Sequence, residues 1–382
     1  MRLINDSQDL DFRKLLQGRY EAERLPDNLS SVSFMPDFAY NVLNPLGILY
    51  RPVVDENYLA EGGTKPIWSE GRPFAVCLTH DVDTVSLNSF RRLARLRTRN
   101  LMNGATKIMR ISNFLGRGLD ILRTIKSFTA QDPLHTYESW LEVENNVGAR
   151  STFFFWPGWK AVGKRHSSDC TYDLTDKIVF DKQKCTVAEM IREIDRRGWE
   201  IGLHPSWYSF DDVDEMKRQK SALENTLGHD VVSARQHYLH YDIRITPRVQ
   251  SEAGLLYDST LGFNNNIGFR FGSSYPWQLY DLRAEKQLSV WEIPLIIQDG
   301  ALFNPLRGMF LNEDTAFLYV KMIAESVENV GGILTLLWHP NIIINQPAWN
   351  LYSRVLNYLK DRNACFLCVR DVVKQFISPN LP

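Results

Sequence analysis

The chain contains no run approaching the ~20 consecutive apolar residues that cross a bilayer. Its first twenty residues, Met1 to Tyr20, interleave charges with apolar side chains and so lack the unbroken apolar stretch of a signal peptide. A cytoplasmic protein is expected. Net charge is also missing, because 44 basic residues face 45 acidic ones, and no nucleic-acid partner is expected. Cysteine is scarce and odd in number, five in 382 residues, which argues against a disulfide framework and for a reducing compartment. Cys365 and Cys368 form a CxxC, but they fall in the apolar run Ala364 to Val369. On a strand, positions i and i+3 face opposite sides, so core packing is expected there instead of metal or redox chemistry. Internal repeats and low-complexity tracts are absent.

What remains is an ordinary globular composition, 44% hydrophobic and 23% charged with 22 glycines. The length suits a single elaborated α/β barrel. Short β-rich runs recur at Phe74 to Leu78, Ser151 to Phe155, Trp199 to Leu203, Asp230 to Ala234, Trp291 to Ile297, Ile333 to Trp338 and Cys365 to Val369. Helical patterns lie between them, as at Thr186 to Arg197 and Glu313 to Asn329, and this alternation predicts parallel strands with crossovers. Seven or so strands predict a closed or nearly closed βα barrel with its chemistry at the carboxyl ends of the strands. Residues 1–70 read as an N-terminal extension packed on a barrel of 71–382. Residues 86–127 read as a helical insertion carrying ten Arg or Lys against one acid, Asp120.

Polar residues gather at the predicted strand ends. The first strand finishes Thr79-His80-Asp81-Val82-Asp83, and alternation puts the two carboxylates on the same side, where a cation or a shared proton would relieve their repulsion. Other ends deliver His204, then Arg235 and His237, then His339. A lone histidine is usually structural, and a lone DxD often caps a helix. Three histidines at three strand ends, facing a DxD at a fourth, are much harder to dismiss as structural.

The order THDVD at 79–83, GARSTFFF at 148–155, EIGLHPS at 200–206, RQHY at 235–238, YDSTLGF at 257–263 and LLWHPN at 336–341 resembles the polysaccharide deacetylase family, carbohydrate esterase family four. The DVD form of the first motif is similar to the branch with peptidoglycan deacetylase-like and allantoinase-like members. The resemblance implies a deformed seven-stranded (β/α) barrel and metal-dependent removal of an N-acyl or O-acyl group from a sugar. It implies a divalent metal, Zn²⁺ first and Co²⁺ or Ni²⁺ next. By position it makes Asp81 the general base, Asp83 and His204 metal ligands, His339 the general acid, Arg235 the residue that orients the base, and the Tyr238 backbone N–H the oxyanion donor.

One departure stands out. Tyr208 occupies the place of the second histidine of the family's HxxxH motif, and a catalytic zinc normally takes three protein ligands. His237 is the leading replacement, with His80 and Tyr208 behind it. The same departure keeps open a catalytically inactive carbohydrate-binding barrel, and the branch keeps open an allantoinase-like hydrolase of a non-sugar C–N bond. Trp156, Trp159, Trp207, Trp277 and Trp338 are candidates to stack on a sugar or to fill the core, with Trp207 and Trp338 favoured for substrate because they adjoin motif residues. Arg270 is a candidate to bind an anion or to lock a loop; Glu292 and Asp299, to position a substrate hydroxyl or to close the sheet. The basic insertion is a candidate for docking on anionic membrane at its inner face, or on the diphosphate of a lipid-linked saccharide, against the alternative of a solvated insertion.

Overall fold

The computed structural model describes residues 10–27, 41–87 and 132–377. The basic insertion, from residue 88 onward, lies outside the described residues. Three helices come first: α1 Phe12–Leu16, α2 Arg19–Ala22 and α3 Val53–Ala60. Strand β1 is Ala75–Val82 and is followed by α4 Tyr137–Asn145, then β2 Thr152–Phe155. A hairpin of β3 Lys177–Phe180 and β4 Gln183–Thr186 leads into α5 Val187–Arg196. Thr186 and Glu189 close a capping box there, each binding the other's backbone N–H, which explains why this helix starts where the sequence pattern places it. Next come β5 Glu200–Leu203, α6 Val213–Leu227, β6 Ser233–Ala234, α7 Thr246–Glu252 and β7 Tyr257–Asp258. The hairpin β8 Trp277–Asp281 and β9 Lys286–Glu292 runs into β10 Ile297–Gln298 and α8 Asp299–Phe303. Then α9 Glu313–Val330, β11 Ile333–Leu337, α10 Gln346–Asp361, β12 Cys365–Leu367 and α11 Val369–Ile377 complete the chain.

The main sheet runs β10-β11-β1-β2-β5-β6-β7-β9, all parallel, with β8 antiparallel at the edge. Its two ends belong to one piece of chain. Ile293 N–H still donates to Asp258 O of β7, and three residues later Ile296 N–H donates to Thr335 O of β11. The segment from β9 to β10 therefore occupies a single position that leaves one edge and joins the other. Seven strand positions result, a deformed (β/α) barrel in which no strand pairing among the described residues links β9 to β10.

Two strands differ from expectation. Tyr257–Asp258, two residues long, fills a barrel position that periodicity could not show. Cys365–Leu367 has no position of its own, since it pairs with the first half of β1 while β2 pairs with the second half. Cys365 and Cys368 are free and engage Gln375 and the carbonyls of Arg150 and Ser151, in keeping with packing.

Alternation along β1 sorts its side chains. Val76, Leu78 and Val82 face the helix layer, while Ala75 and Cys77 face inward with Phe154 and Ile333. His80 follows the outward set. Its Nδ1 lies 2.6 Å from Trp338 O and its Nε2 2.6 Å from Glu144 Oε1, and Glu144 also accepts from Trp199 Nε1 (2.6 Å) and the Tyr352 hydroxyl (2.9 Å). All four side chains are buried. Glu144→Ala strands two buried donors and leaves the buried His80 Nε2 without its partner, so a loss of about 3–5 kcal/mol is expected in denaturant unfolding. A loss below about 1 kcal/mol would show that water replaces the carboxylate.

The described parts of the N-terminal segment bind the barrel near β8 and β9. Asp55 accepts from Ser274 N (2.6 Å) and Ser274 Oγ (2.7 Å), and burial pushes its carboxyl up to about 6. Glu21 forms a buried two-pronged ion pair with Arg270, whose Nη1 donates to Gly262 O at 2.8 Å. Leu10, Leu15, Val42, Leu43 and Leu49 pack on Phe263.

Candidate active site

The inward set of β1 continues past the strand end and carries Asp81 and then Asp83 into the mouth of the barrel. Gly202 in β5 has the room question reversed: a Cβ there would sit 2.5 Å from the Phe154 ring, so the bulky Phe154 is accommodated by having no side chain opposite it. Two residues on, the same inward face presents His204. Arg235 follows Ser233 inward from β6 and is completely buried. Asp81, Asp83 and His204 line one cavity with His237, Tyr238 and His339, and Arg235 lies beneath it.

Asp83, His204 and His237 place one ligand atom each within 4.8 Å of one another. His204 Nε2 is 3.2 Å and His237 Nε2 3.5 Å from Asp83 Oδ1, and His339 Nε2 is 3.8 Å from Oδ2. Burial alone would raise the Asp83 carboxyl, but the imidazoles of His237, His204 and His339 hold it well below the usual carboxylate range. His204 moves the other way. Burial pulls it down, and the Asp81 and Asp83 carboxylates override that and raise it. The concentration of positive charge that these anions draw is what a divalent cation would supply.

The donor set fits such an ion. One carboxylate and two imidazoles suit Zn²⁺, Co²⁺ or Ni²⁺, and three protein ligands leave an open position. His204 Nδ1 lies 2.7 Å from Arg235 O, an acceptor that holds a proton on Nδ1 and so makes Nε2 the nitrogen available to an ion shared with Asp83.

Asp81 sits beside this group, 3% exposed, with Oδ2 4.0 Å from His204 Nε2 and Oδ1 3.8 Å from Arg235 Nη1. The Arg235 contact is one of charge; its hydrogen bond goes from Nη2 to Ser259 Oγ at 2.8 Å. Behind Arg235 lie Asp258 and Glu292, paired across β7 and β9 and fully buried. Burial, and then the Asp258 charge, raise Glu292 well above the carboxylate range.

His339 has a partner that the sequence left ambiguous. Asp299, at the end of β10, accepts from His339 N at 2.9 Å and lies 2.7 Å from its Nδ1. Burial would lower His339, but the Asp299 carboxylate, with Asp83 and Asp81 behind it, pushes it up to about 10. Asp299 followed an apolar run just as His204 and His339 do, and that was the available signal. Because the raised value keeps His339 protonated through neutral pH, its proton is lost only on the alkaline side. Asp299→Asn is expected to move the alkaline limb of kcat/KM to lower pH; an unmoved limb would remove Asp299 from this role.

Several expectations need correction. His80 cannot reach the ligand cluster, since both its ring nitrogens are engaged on the opposite face of β1. Trp338 is 0% exposed and packs on Tyr352 in the core, so it has no face for a sugar. Trp207 is 1% exposed and lies between the rings of His240 and His166, at 3.9 and 4.5 Å. Arg270, 2% exposed, locks Gly262 and Glu21 together and offers nothing to an anionic substrate. Tyr208 lies outside the ligand cluster, under the Lys164 ammonium and against His166.

The backbone at Tyr238 and Leu239 takes positive φ values of 59° and 50°, a conformation that costs a non-glycine residue roughly 1–3 kcal/mol. Strain of this kind persists where the surroundings impose it, here between His237 and the Asn264 Nδ2 that donates to Tyr238 O at 2.9 Å.

No family model matches the chain, and no curated protein matches it in sequence. Solved structures do match in fold. One bearing the name polysaccharide deacetylase, from Mycobacterium smegmatis, superposes with a TM-score of 0.52 at 19% identity, covering 84% of this chain and 96% of its own. Another of that name, from Pseudomonas aeruginosa PAO1, gives 0.50 at 15%, covering 84% and 95%. The Puue allantoinase gives 0.50 at 14%, covering 83% and 94%. The chain thus has the deformed barrel fold of polysaccharide deacetylases, as the motif order indicated.

Proposed function

We propose that the protein is a metal-dependent hydrolase that removes an N-acyl, or O-acyl, group from a sugar. The observation that carries this reading is the convergence of Asp83, His204 and His237 on one point beside a buried carboxylate and an imidazole already paired with its own carboxylate. A divalent ion held by Asp83, His204 and His237 would acidify a bound water and polarise the acyl carbonyl. Asp81, held by the Arg235 charge, would take the proton of the attacking water. His339, paired with Asp299, would hand a proton to the departing amine or alcohol. Tyr238 borders the same cavity, and its backbone N–H would donate to the developing oxyanion. The Tyr238 ring, 39% exposed on the cavity wall, replaces the buried tryptophans as the surface for a sugar face.

The test has two parts. Protein purified without chelator is expected to hold, or take up, about one equivalent of Zn²⁺, Co²⁺ or Ni²⁺, and to release acetate or formate from N-acylated amino sugars. Protein that takes up none of the three ions fails the reading and leaves an inactive binding barrel. The likeness to an allantoinase favours a second reading, hydrolysis of a non-sugar C–N bond. Ring opening of a cyclic ureide, with no acyl release from sugars, would select it. Residues 86–127 would dock on anionic membrane or on the diphosphate of a lipid-linked saccharide; liposome co-sedimentation without preference for anionic lipid would rule out the membrane docking. Among the described residues no helix is long and apolar enough to cross a membrane.

A further inference from the structure

The third ligand position has a feature that His204 does not share. His237 Nδ1 is buried and makes no hydrogen bond, and it faces Asp169 Oδ1 across 4.0 Å. Asp169 is 1% exposed and is fixed from both sides: Trp207 N donates to Oδ1 at 2.8 Å and His166 N to Oδ2 at 2.7 Å. It comes from the segment between β2 and β3 and belongs to none of the motifs. Its neighbour Cys170 lies against the cluster as well, with Sγ 4.0 Å from Asp83 Oδ1.

We propose that Asp169 is a positioning residue for the metal site, accepting the Nδ1–H of His237 so that Nε2 is presented to the ion. The proposal rests on the metal-dependent reading above. It follows from a symmetry of requirement. Both imidazoles approach Asp83 through Nε2; to bind an ion through that nitrogen both must carry their proton on Nδ1, and a buried N–H needs an acceptor. His204 has the Arg235 carbonyl in that place. His237 has only a carboxylate, which stabilises the Nδ1–H tautomer and makes Nε2 a stronger donor. The gap shortens to hydrogen-bond length with about 1 Å of ring or carboxylate movement, the kind of tightening that sites undergo on loading. A ligand drawn from Arg235-Gln-His-Tyr in place of position 208 thus comes with its own support.

The test is Zn²⁺ affinity of the full chain, measured by competition with a chromophoric chelator. Asp169→Asn is expected to weaken binding about 10- to 100-fold. In a His237→Ala background the same change is expected to do nothing further to the residual affinity, whereas a general loosening of the fold would add its loss there too. His166→Ala, which disturbs the same turn without touching His237, is expected to bind within about twofold of the unaltered chain. Unchanged affinity in Asp169→Asn, or an equal loss with and without His237, overturns the proposal and leaves the metal reading standing. If the unaltered chain takes up no metal, both fall. Should Asp169→Asn fail to fold, ¹⁵N NMR of the unaltered, Zn²⁺-loaded chain decides: Nδ1–H on His237 supports the proposal, and Nε2–H overturns it.

Discussion

His237→Ala is expected to lose stoichiometric metal and to lower kcat/KM by about a thousandfold, while Tyr208→Phe leaves both nearly unchanged. The reason is geometric. His237 Nε2 shares Asp83 Oδ1 with His204 Nε2, at 3.5 and 3.2 Å, so removing it leaves a two-ligand site that holds an ion poorly. Tyr208 contributes no atom to the cluster and packs instead against Lys164 and His166. The loss in His237→Ala corresponds to about 4 kcal/mol of transition-state stabilisation, the scale of a Lewis acid acting at the carbonyl. Metal analysis beside steady-state kinetics checks it. Full metal content in His237→Ala, or loss of metal in Tyr208→Phe, would return the third ligand to position 208.

Asp81→Asn is expected to separate base from ligand. The amide is nearly isosteric and cannot accept the proton of the attacking water, so kcat should fall by about 10²- to 10⁴-fold with metal content unchanged. Asp81 is suited to this because it borders the cluster without belonging to it: its Oδ2 is 4.0 Å from His204 Nε2, while Asp83 Oδ1 is 3.2 Å from the same atom. Neutralising Asp81 also leaves the buried Arg235 with less compensating charge, so a lower unfolding midpoint is expected beside the kinetic effect. A variant that keeps its kcat would assign the base elsewhere, and one that loses the metal would make Asp81 a ligand.

The two carboxylates illustrate how far local rules reach. A strand alternates its side chains, so Asp81 and Asp83 share a side and His80 takes the other whatever the rest of the chain does. An apolar run that ends in a polar residue marks a strand end at the barrel mouth, which made His204, Arg235, His237 and His339 legible one by one. Capping chemistry fixed the start of α5 in the same local way. Strand β7 was not legible, because two residues have no period to read and its pairing with β6 and β9 is what makes it a strand.

The sequence by itself therefore determined the alternation of strands and helices, the shared side of the acidic pair and the roster of strand-end histidines, since each follows from periodicity along a few consecutive residues, while the barrel was implied by the order of motifs. Tertiary structure decided which of those residues meet. It set His237 beside Asp83 while sending Tyr208 away, buried Trp207 and Trp338 in aromatic packing that leaves no face for a sugar, and tied Arg270 to Glu21 across 249 positions of chain. It also brought Asp299 to His339 and Asp169 to His237. Distances between side chains on different strands depend on register, barrel curvature and loop path, and none of these is written in the spacing of one segment.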